Sequence, residues 1–251
     1  MSDLIGTLIF SLIMGASIFL SLPIVLRRRT SESTTKLLEA VAIGILVFLI
    51  ADVFSNVAPW LYRNGSLHGY GADPTLSLAF AVALGIGFFA LYFLENRSKS
   101  GLTPTMVALM ISVGIGLQNL TEGLVFGASS ASIGLFSGIS LVILIGFSLQ
   151  NITEGFPIAS PFINRHEVSP WLIVILFLVG GIPTIIGGVA GYFYSSPMAS
   201  VFFDGLAIGS ILYVIMPMIR GLIRNMDPLK QKVAYVGIFL GFLIGFLVNL
   251  I

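Results

Sequence analysis

Eight mainly apolar stretches follow one another along this chain, at roughly 4–26, 37–61, 74–94, 103–128, 132–160, 168–194, 198–219 and 233–251. About 20 such residues are needed for a helix to cross the hydrocarbon of a bilayer, so each stretch predicts a transmembrane helix. The expected fold class is therefore an all-α integral membrane protein, with residues 1–251 forming a single transmembrane domain of eight helices. The connections are short and polar, which leaves no room for a soluble domain. Composition agrees: 57% of the 251 residues are hydrophobic and 9% are charged, too few charges to coat a soluble globule of this size. With no cysteine, neither disulfides nor thiolate metal ligands are available. The opening "MSDLIG" carries no basic leader, and the first run is long enough to span and is followed by Arg27, Arg28 and Arg29, so it is expected to stay in the mature protein.

Lys and Arg are retained on the cytoplasmic side of a membrane. If the N-terminus is outside, Arg27, Arg28, Arg29, Lys36, Arg97, Lys99, Arg165, Arg220, Arg224, Lys230 and Lys232 fall in inner loops and Arg63 alone falls outside, a count of eleven to one. Eight crossings then put both termini outside. Trp60, Tyr62, Tyr192 and Tyr194 come to the outer interface and Tyr92 and Trp171 to the inner one, where amphipathic rings concentrate.

Assigning every charge to a loop or a span leaves four carboxylates within the membrane: Asp52 and Asp204 in the outer halves of the second and seventh helices, Glu122 and Glu154 deeper in the fourth and fifth. No Lys or Arg shares the spans with them. A charge at the bilayer centre costs at least ~2.5 kcal/mol even on the lenient insertion scale, so these groups must be protonated, hydrated or neutralised by something other than a side chain. A bound cation would do so, and the depths of the four acids suggest a path inward.

Two of them sit in a repeat. "GLQNLTEGL" from Gly116 and "SLQNITEGF" from Ser148 are nearly the same sequence. Gln118, Asn119 and Glu122 share one face of a helix by their i, i+3 and i+4 spacing, and Gln150, Asn151 and Glu154 do the same on the next. Consecutive spans are antiparallel, so one motif at similar depth in both implies inverted pseudo-symmetry about an axis in the membrane plane, with a binding site near the midplane at the repeat interface. Gly123 and Gly155 follow each Glu and allow the helices to approach closely. Hydrogen-bonded helix glue would need amides but not two unpaired carboxylates.

At these residues the chain resembles the ZIP (Zrt/Irt-like) family of divalent-metal transporters, especially its compact prokaryotic branch, whose fourth and fifth helices carry motifs of the form H-N-x-P-E-G and H/Q-x-x-P-E-G. Here "QNLTEG" and "QNITEG" occupy those helices, and "LGIGFFALYFLENR", "GGIPTIIGGVAGYF", "GLAIGSILYVIMP" and "GIFLGFLIGFLV" extend the likeness over nearly the whole chain. The resemblance implies a ZIP-like bundle with a metal path between the fourth and fifth helices, metal ligands at Gln118, Asn119, Glu122, Gln150, Asn151 and Glu154, entrance acids at Asp52 and Asp204, and movement toward the cytoplasm across the cell membrane. Gln118 stands where His is usual, Thr121 and Thr153 replace the motif prolines, Thr184 stands where a Glu usually completes a second metal site, and Met216 and Met218 lie near another usual acid.

The function expected is therefore a transporter of divalent cations of the zinc, iron or manganese class, with no cofactor beyond the transported ion. With neither His nor Cys in the site, carboxylate and amide oxygens favour Mg, Ca, Mn or Fe(II), while the family likeness keeps zinc in the set. The partners implied are the lipid bilayer and the metal ion, with a homodimer left open; no basic patch suggests nucleic acid. An intramembrane enzyme is not expected, since neither H-E-x-x-H nor a paired nucleophile and base occurs in a span. The serious rival is a ZIP-fold protein that binds or senses metal but has lost transport, suggested by Gln118 and Thr184. His68 and His166 read as ordinary loop residues, with His166 and Glu167 placed to receive an exiting ion, and the "GIG" patterns at Gly85 and Gly114 read as helix-packing positions.

Overall fold

The computed structural model describes residues 2–25, 31–62, 73–97, 102–165, 168–224 and 228–250. Arg27, Arg28, Arg29, Arg63, His68, Lys99, His166 and Glu167 lie outside the described residues. The helices are α1 (Ser2–Ser17), α2 (Glu32–Leu61), α3 (Pro74–Arg97), α4 (Pro104–Ile133), α5 (Gly138–Ala159), α6 (Pro170–Phe193), α7 (Pro197–Ile223) and α8 (Pro228–Val248). Among the described residues, eight helical spans are long and apolar enough to cross a membrane.

Local chemistry accounts for where they begin. Five of the eight start at a proline, whose missing N–H costs nothing in the first helical turn. Ser31, Thr103, Ser137 and Ser196 cap α2, α4, α5 and α7, each accepting a backbone N–H three residues on. Beyond α1 the chain tightens into a 3₁₀ turn, Ile18–Ser21, before a last helical piece, Leu22–Val25. There Leu22 N–H bonds Phe19 O, and the next residue is Pro23, which has no N–H to continue the ladder.

Two boundaries differ from the sequence expectation. Residues 132–137 were expected to open the fifth span, but α4 continues to Ile133 and the chain turns at Gly134, whose φ of 96° suits glycine, before α5 begins. Lys36, Arg97, Arg220, Lys230 and Lys232, expected in loops, instead lie within the end turns of α2, α3, α7 and α8. The long stems of Lys36, Arg97, Arg220 and Lys232 let the charge reach past the apolar zone.

The helices gather into two sets. In one, α4 packs along α6, and α1 lies against both α5 and α6; in the other, α3 packs along α7 and α8 along α2, with α2 against α7. The sets meet chiefly where α4 touches α7 and α5 touches α2. Small residues permit these approaches. A Cβ on Gly123 would fall on the Thr184 carbonyl of α6, one on Gly15 of α1 on the Gly181 carbonyl, one on Gly87 of α3 on the Leu206 carbonyl, and one on Gly44 of α2 on the Ile238 carbonyl. Both "GIG" patterns therefore make helix contacts, the first through Gly87 while Gly85 faces open space, the second through Gly114 on Ile211 and Ser210 and through Gly116 on the Val179 carbonyl. The outer surface is apolar, with Leu78, Phe89 and Phe93 of α3 and Phe239 and Leu247 of α8 exposed, while the polar side chains of the motifs point inward.

Candidate metal centre

All six motif residues are buried, and so are Asp52 on α2 and Asp204 on α7. The two asparagines are anchored alike. Asn119 Nδ2 on α4 donates to Gly180 O of α6 at 3.0 Å, and Asn151 Nδ2 on α5 donates to Met14 O of α1 at 3.0 Å. A backbone carbonyl can only accept, so each contact fixes the amide with its nitrogen outward and its oxygen turned away. Both oxygens are buried without a hydrogen-bond partner. The two anchors flank the place where α1 crosses α6, at Gly15 and Gly181.

The glutamines are used differently. Gln118 Nε2 donates to Glu122 Oε1 at 2.7 Å, one turn along its own helix, whereas Gln150 Nε2 reaches α2 and donates to Asp52 Oδ2 at 3.1 Å. Their own carbonyl oxygens are also unpartnered. Of the carboxylates, Glu122 keeps Oε2 free, and Glu154 has neither oxygen hydrogen-bonded, although Gln150, Asn119 and Gln118 stand beside it. Glu122 lies within electrostatic reach of Glu154, Asp52 and Asp204, and Glu154 within reach of Asp52. The four acids thus lie within electrostatic reach of one another without gathering into a tight cluster.

Asp52 and Asp204 are better satisfied. Asp52 accepts from Gln150 and, on its other oxygen, from Asn249 Nδ2 just past the end of α8. Asp204 Oδ1 accepts the Thr121 hydroxyl at 2.5 Å. Thr121 also contacts Gln118 O at 2.6 Å, and Thr153 Oγ1 makes the corresponding contact with Gln150 O at 2.7 Å. Thr184 on α6 is fully buried with its hydroxyl unpartnered, as is Ser11 on α1.

Leaving a buried acceptor unsatisfied costs about 1–3 kcal/mol, and native proteins tolerate few such groups unless something else completes them. Here seven oxygens from the six motif residues lack a partner: Gln118 Oε1, Asn119 Oδ1, Glu122 Oε2, Gln150 Oε1, Asn151 Oδ1 and both oxygens of Glu154. Every one is an acceptor. A cation satisfies such a set; another acceptor or an apolar group does not. Among the described residues no three His, Asp or Glu side chains gather as a metal cluster, so an ion here would depend on the carboxylate pair together with amide oxygens. That is a donor set for hard cations.

Sequence reading singled out the six motif residues and the two aspartates, and the structure brings all eight toward one interior region. It missed Asn249, the hydrogen-bond partner of Asp52, whose signal was a lone amide at the end of the last apolar run. In the sequence Thr121 stands out only as the absence of the motif proline, yet its hydroxyl ties α4 to Asp204. No protein-family model matches the chain, and no curated protein is significantly similar to it.

Proposed function

We propose that this protein is a membrane transporter of divalent metal cations, carrying them toward the cytoplasm through a site of carboxylate and amide oxygens between α4 and α5. The observation that carries the reading is the set of seven unpartnered buried acceptors with no Lys or Arg among them. Two glutamates match the charge of one divalent ion, and the amide oxygens replace part of its hydration shell without adding charge.

Helix packing supports the ZIP-like, inverted arrangement that the sequence suggests. Exchanging α1 with α6, α2 with α7, α3 with α8 and α4 with α5 turns the α4–α6 contact into α5–α1 and the α3–α7 contact into α8–α2, and both members of each pair occur. The Asn119 and Asn151 anchors, on α6 and α1, obey the same exchange. Glu122 and Glu154 belong to one helix set, Asp52 and Asp204 to the other, and the Thr121–Asp204 and Gln150–Asp52 hydrogen bonds cross between them. Such bonds can break and re-form as the sets move, which would expose the site to each side in turn. The Lys and Arg bias supports a topology with both termini outside, and the reading takes the membrane to be that of the cell.

The second reading is a metal-binding or sensing protein that no longer transports, favoured by Thr184, a neutral hydroxyl where the resemblance leads one to expect an acid. Uptake of manganese, iron, zinc, calcium and magnesium by protein reconstituted in liposomes separates the two. A saturable flux of any of them above that of empty vesicles supports transport. Binding without flux selects the second reading, and neither binding nor flux refutes both.

A further inference from the structure

A cavity of about 510 Å³ opens at the end of the bundle where α2 finishes and α3 and α7 begin, lined among others by Pro59, Trp60, Asp73, Ser196 and Pro197. Its position relative to the buried acids follows from the helices. Pro59 lies seven residues beyond Asp52 on α2, and Pro197 lies seven residues before Asp204 on α7. Both steps are two helical turns, about 10.5 Å at 1.5 Å per residue, and α2 packs against α7. The cavity therefore stands over both aspartates.

Among the described residues its lining carries one charge. Asp73 is exposed, and its Oδ1 caps α3 by accepting Thr75 N–H at 2.8 Å and Leu76 N–H at 3.3 Å. This cap holds the carboxylate in place, and Oδ2 has no hydrogen-bond partner among the described residues. Ser196 caps α7 from across the cavity. A divalent ion with six first-shell waters needs roughly 180 Å³ at about 30 Å³ per water, which the cavity accommodates. A small hard cation gives up that shell reluctantly, so a site outside the buried acids that grips the shell rather than the bare ion would concentrate it at the mouth without the dehydration cost.

We propose that this cavity is a vestibule that captures the divalent cation with its water shell intact, Asp73 accepting hydrogen bonds from the bound waters, before the ion is stripped at Asp52 and Asp204. No covalent bond changes; only water is lost at the later step. The proposal rests on the cation-transport reading for its role, but its binding chemistry can be tested separately. Hexaamminecobalt(III) is the probe, because its six ammine ligands present N–H donors like a hydrated ion's O–H groups and do not exchange, so it cannot enter a site that requires dehydration.

The variant is Asp73→Asn, since asparagine caps a helix as well as aspartate while removing the charge. In liposomes, manganese uptake by Asp73→Asn is expected to keep its maximal rate and to need roughly fivefold more ion for half-saturation, the size of one charge contact in water. That gap should close as ionic strength rises from about 0.01 to 0.15 M and the screening length shrinks from about 30 to 8 Å. Hexaamminecobalt(III) should compete with manganese in the wild type and lose potency by a similar factor in the variant. Equal half-saturation in low salt, or equal inhibition of both proteins, overturns the vestibule while leaving transport standing. If the wild type moves no ion, the transport reading fails by itself, and equilibrium binding of hexaamminecobalt(III) to the detergent-solubilised protein decides the vestibule: saturable binding weakened by Asp73→Asn supports it, and no binding or unchanged binding refutes it.

Discussion

"QNLTEG" on α4 and "QNITEG" on α5 differ by one methyl position, yet the structure uses their polar groups unequally. On α4, Gln118 turns back to bond its own Glu122, and Thr121 reaches out to Asp204. On α5 it is Gln150 that reaches out, to Asp52, and neither oxygen of Glu154 meets a well-formed hydrogen bond, although the Gln150, Asn119 and Gln118 amides stand beside it. The difference arises from neighbours rather than from the motif: α2 presents an acid beside Gln150, while α7 presents one beside Thr121. Equal sequences thus give one half-satisfied glutamate and one wholly unsatisfied glutamate, and a bound cation has most to gain at Glu154.

The largest expected effect follows from that inequality. Both oxygens of Glu154 are available to an ion but only one of Glu122, so Glu154→Gln should weaken divalent binding about 100-fold and Glu122→Gln about 10-fold, or ~2.7 and ~1.4 kcal/mol. Calorimetric titration with manganese in detergent measures both. Each variant should also be more stable than the wild type in the absence of metal, because it replaces a buried ionisable carboxyl that lies within electrostatic reach of other acids by a neutral amide. Equal losses of affinity would mean that the ion draws evenly on the two helices and that the unpartnered oxygens do not rank the ligands.

The glycines that follow the glutamates sharpen the comparison through packing. A Cβ on Gly123 would meet the Thr184 carbonyl and lie 2.8 Å from Gly188 N, both backbone atoms of the long helix α6. On Gly155 it would meet the Ser21 hydroxyl and the Ile18 carbonyl in the short 3₁₀ turn after α1. A hydroxyl can rotate away more readily than a 24-residue helix can move. Overpacking typically costs about 1–3 kcal/mol; Gly123→Ala is expected near 2 kcal/mol and Gly155→Ala near 1 in reversible unfolding from micelles, and the opposite order would show the 3₁₀ turn to be the stiffer wall.

How far the sequence foretold this site depends on the kind of partner each residue found. Helix existence and the shared face of Gln118, Asn119 and Glu122 were legible, because apolar run length and 3.6-residue periodicity are written in side chains. The anchors of Asn119 and Asn151 were not, since Gly180 O and Met14 O are backbone atoms and leave no residue-specific trace. Asn249 escaped for another reason: its contact with Asp52 bridges 197 positions. It becomes intelligible once Gly44 is seen against Gly241 and Phe48 against Gly245, since these contacts set α2 and α8 in parallel and one further turn brings Asp52 to Asn249.

The threonines provide a smaller test. Thr121 bonds a carboxylate on another helix as well as its own Gln118 carbonyl, whereas the Thr153 hydroxyl bonds a carbonyl of its own helix. A hydrogen bond to a charged group contributes about 1.5–3 kcal/mol and a neutral one about 0.5–1.5, so Thr121→Val should cost ~1.5 kcal/mol of stability and Thr153→Val ~0.5, by the same unfolding measurement. If Thr121 is also a tie that must break between the two helix sets, its valine variant should change the maximal uptake rate more than the half-saturating concentration; Thr153→Val should change neither.

The smallest expected effect concerns which metal is preferred. Gln118 offers an amide oxygen where imidazole would bind zinc better, and Thr184 offers a hydroxyl where a carboxylate would add charge. Both hold an unpartnered buried oxygen, so both positions can face an ion. Histidine at position 118 can keep a bond to Glu122 through one ring nitrogen while offering the other to an ion. Thr184 is fully buried, with its Cβ 3.4 Å from where a Cβ on Gly15 would lie, so a glutamate there must displace α1 or bend back on itself. Gln118→His should therefore supply most of the gain, and the double change Gln118→His with Thr184→Glu should raise the ratio of zinc to manganese affinity by about threefold, under ~0.7 kcal/mol, with slower release of zinc. Competition binding of the two ions to wild type, each single variant and the double variant measures this directly. An unchanged ratio in Gln118→His would mean that the fourth-helix glutamine does not touch the ion, and that α5, with its unsatisfied Glu154, holds the metal largely alone.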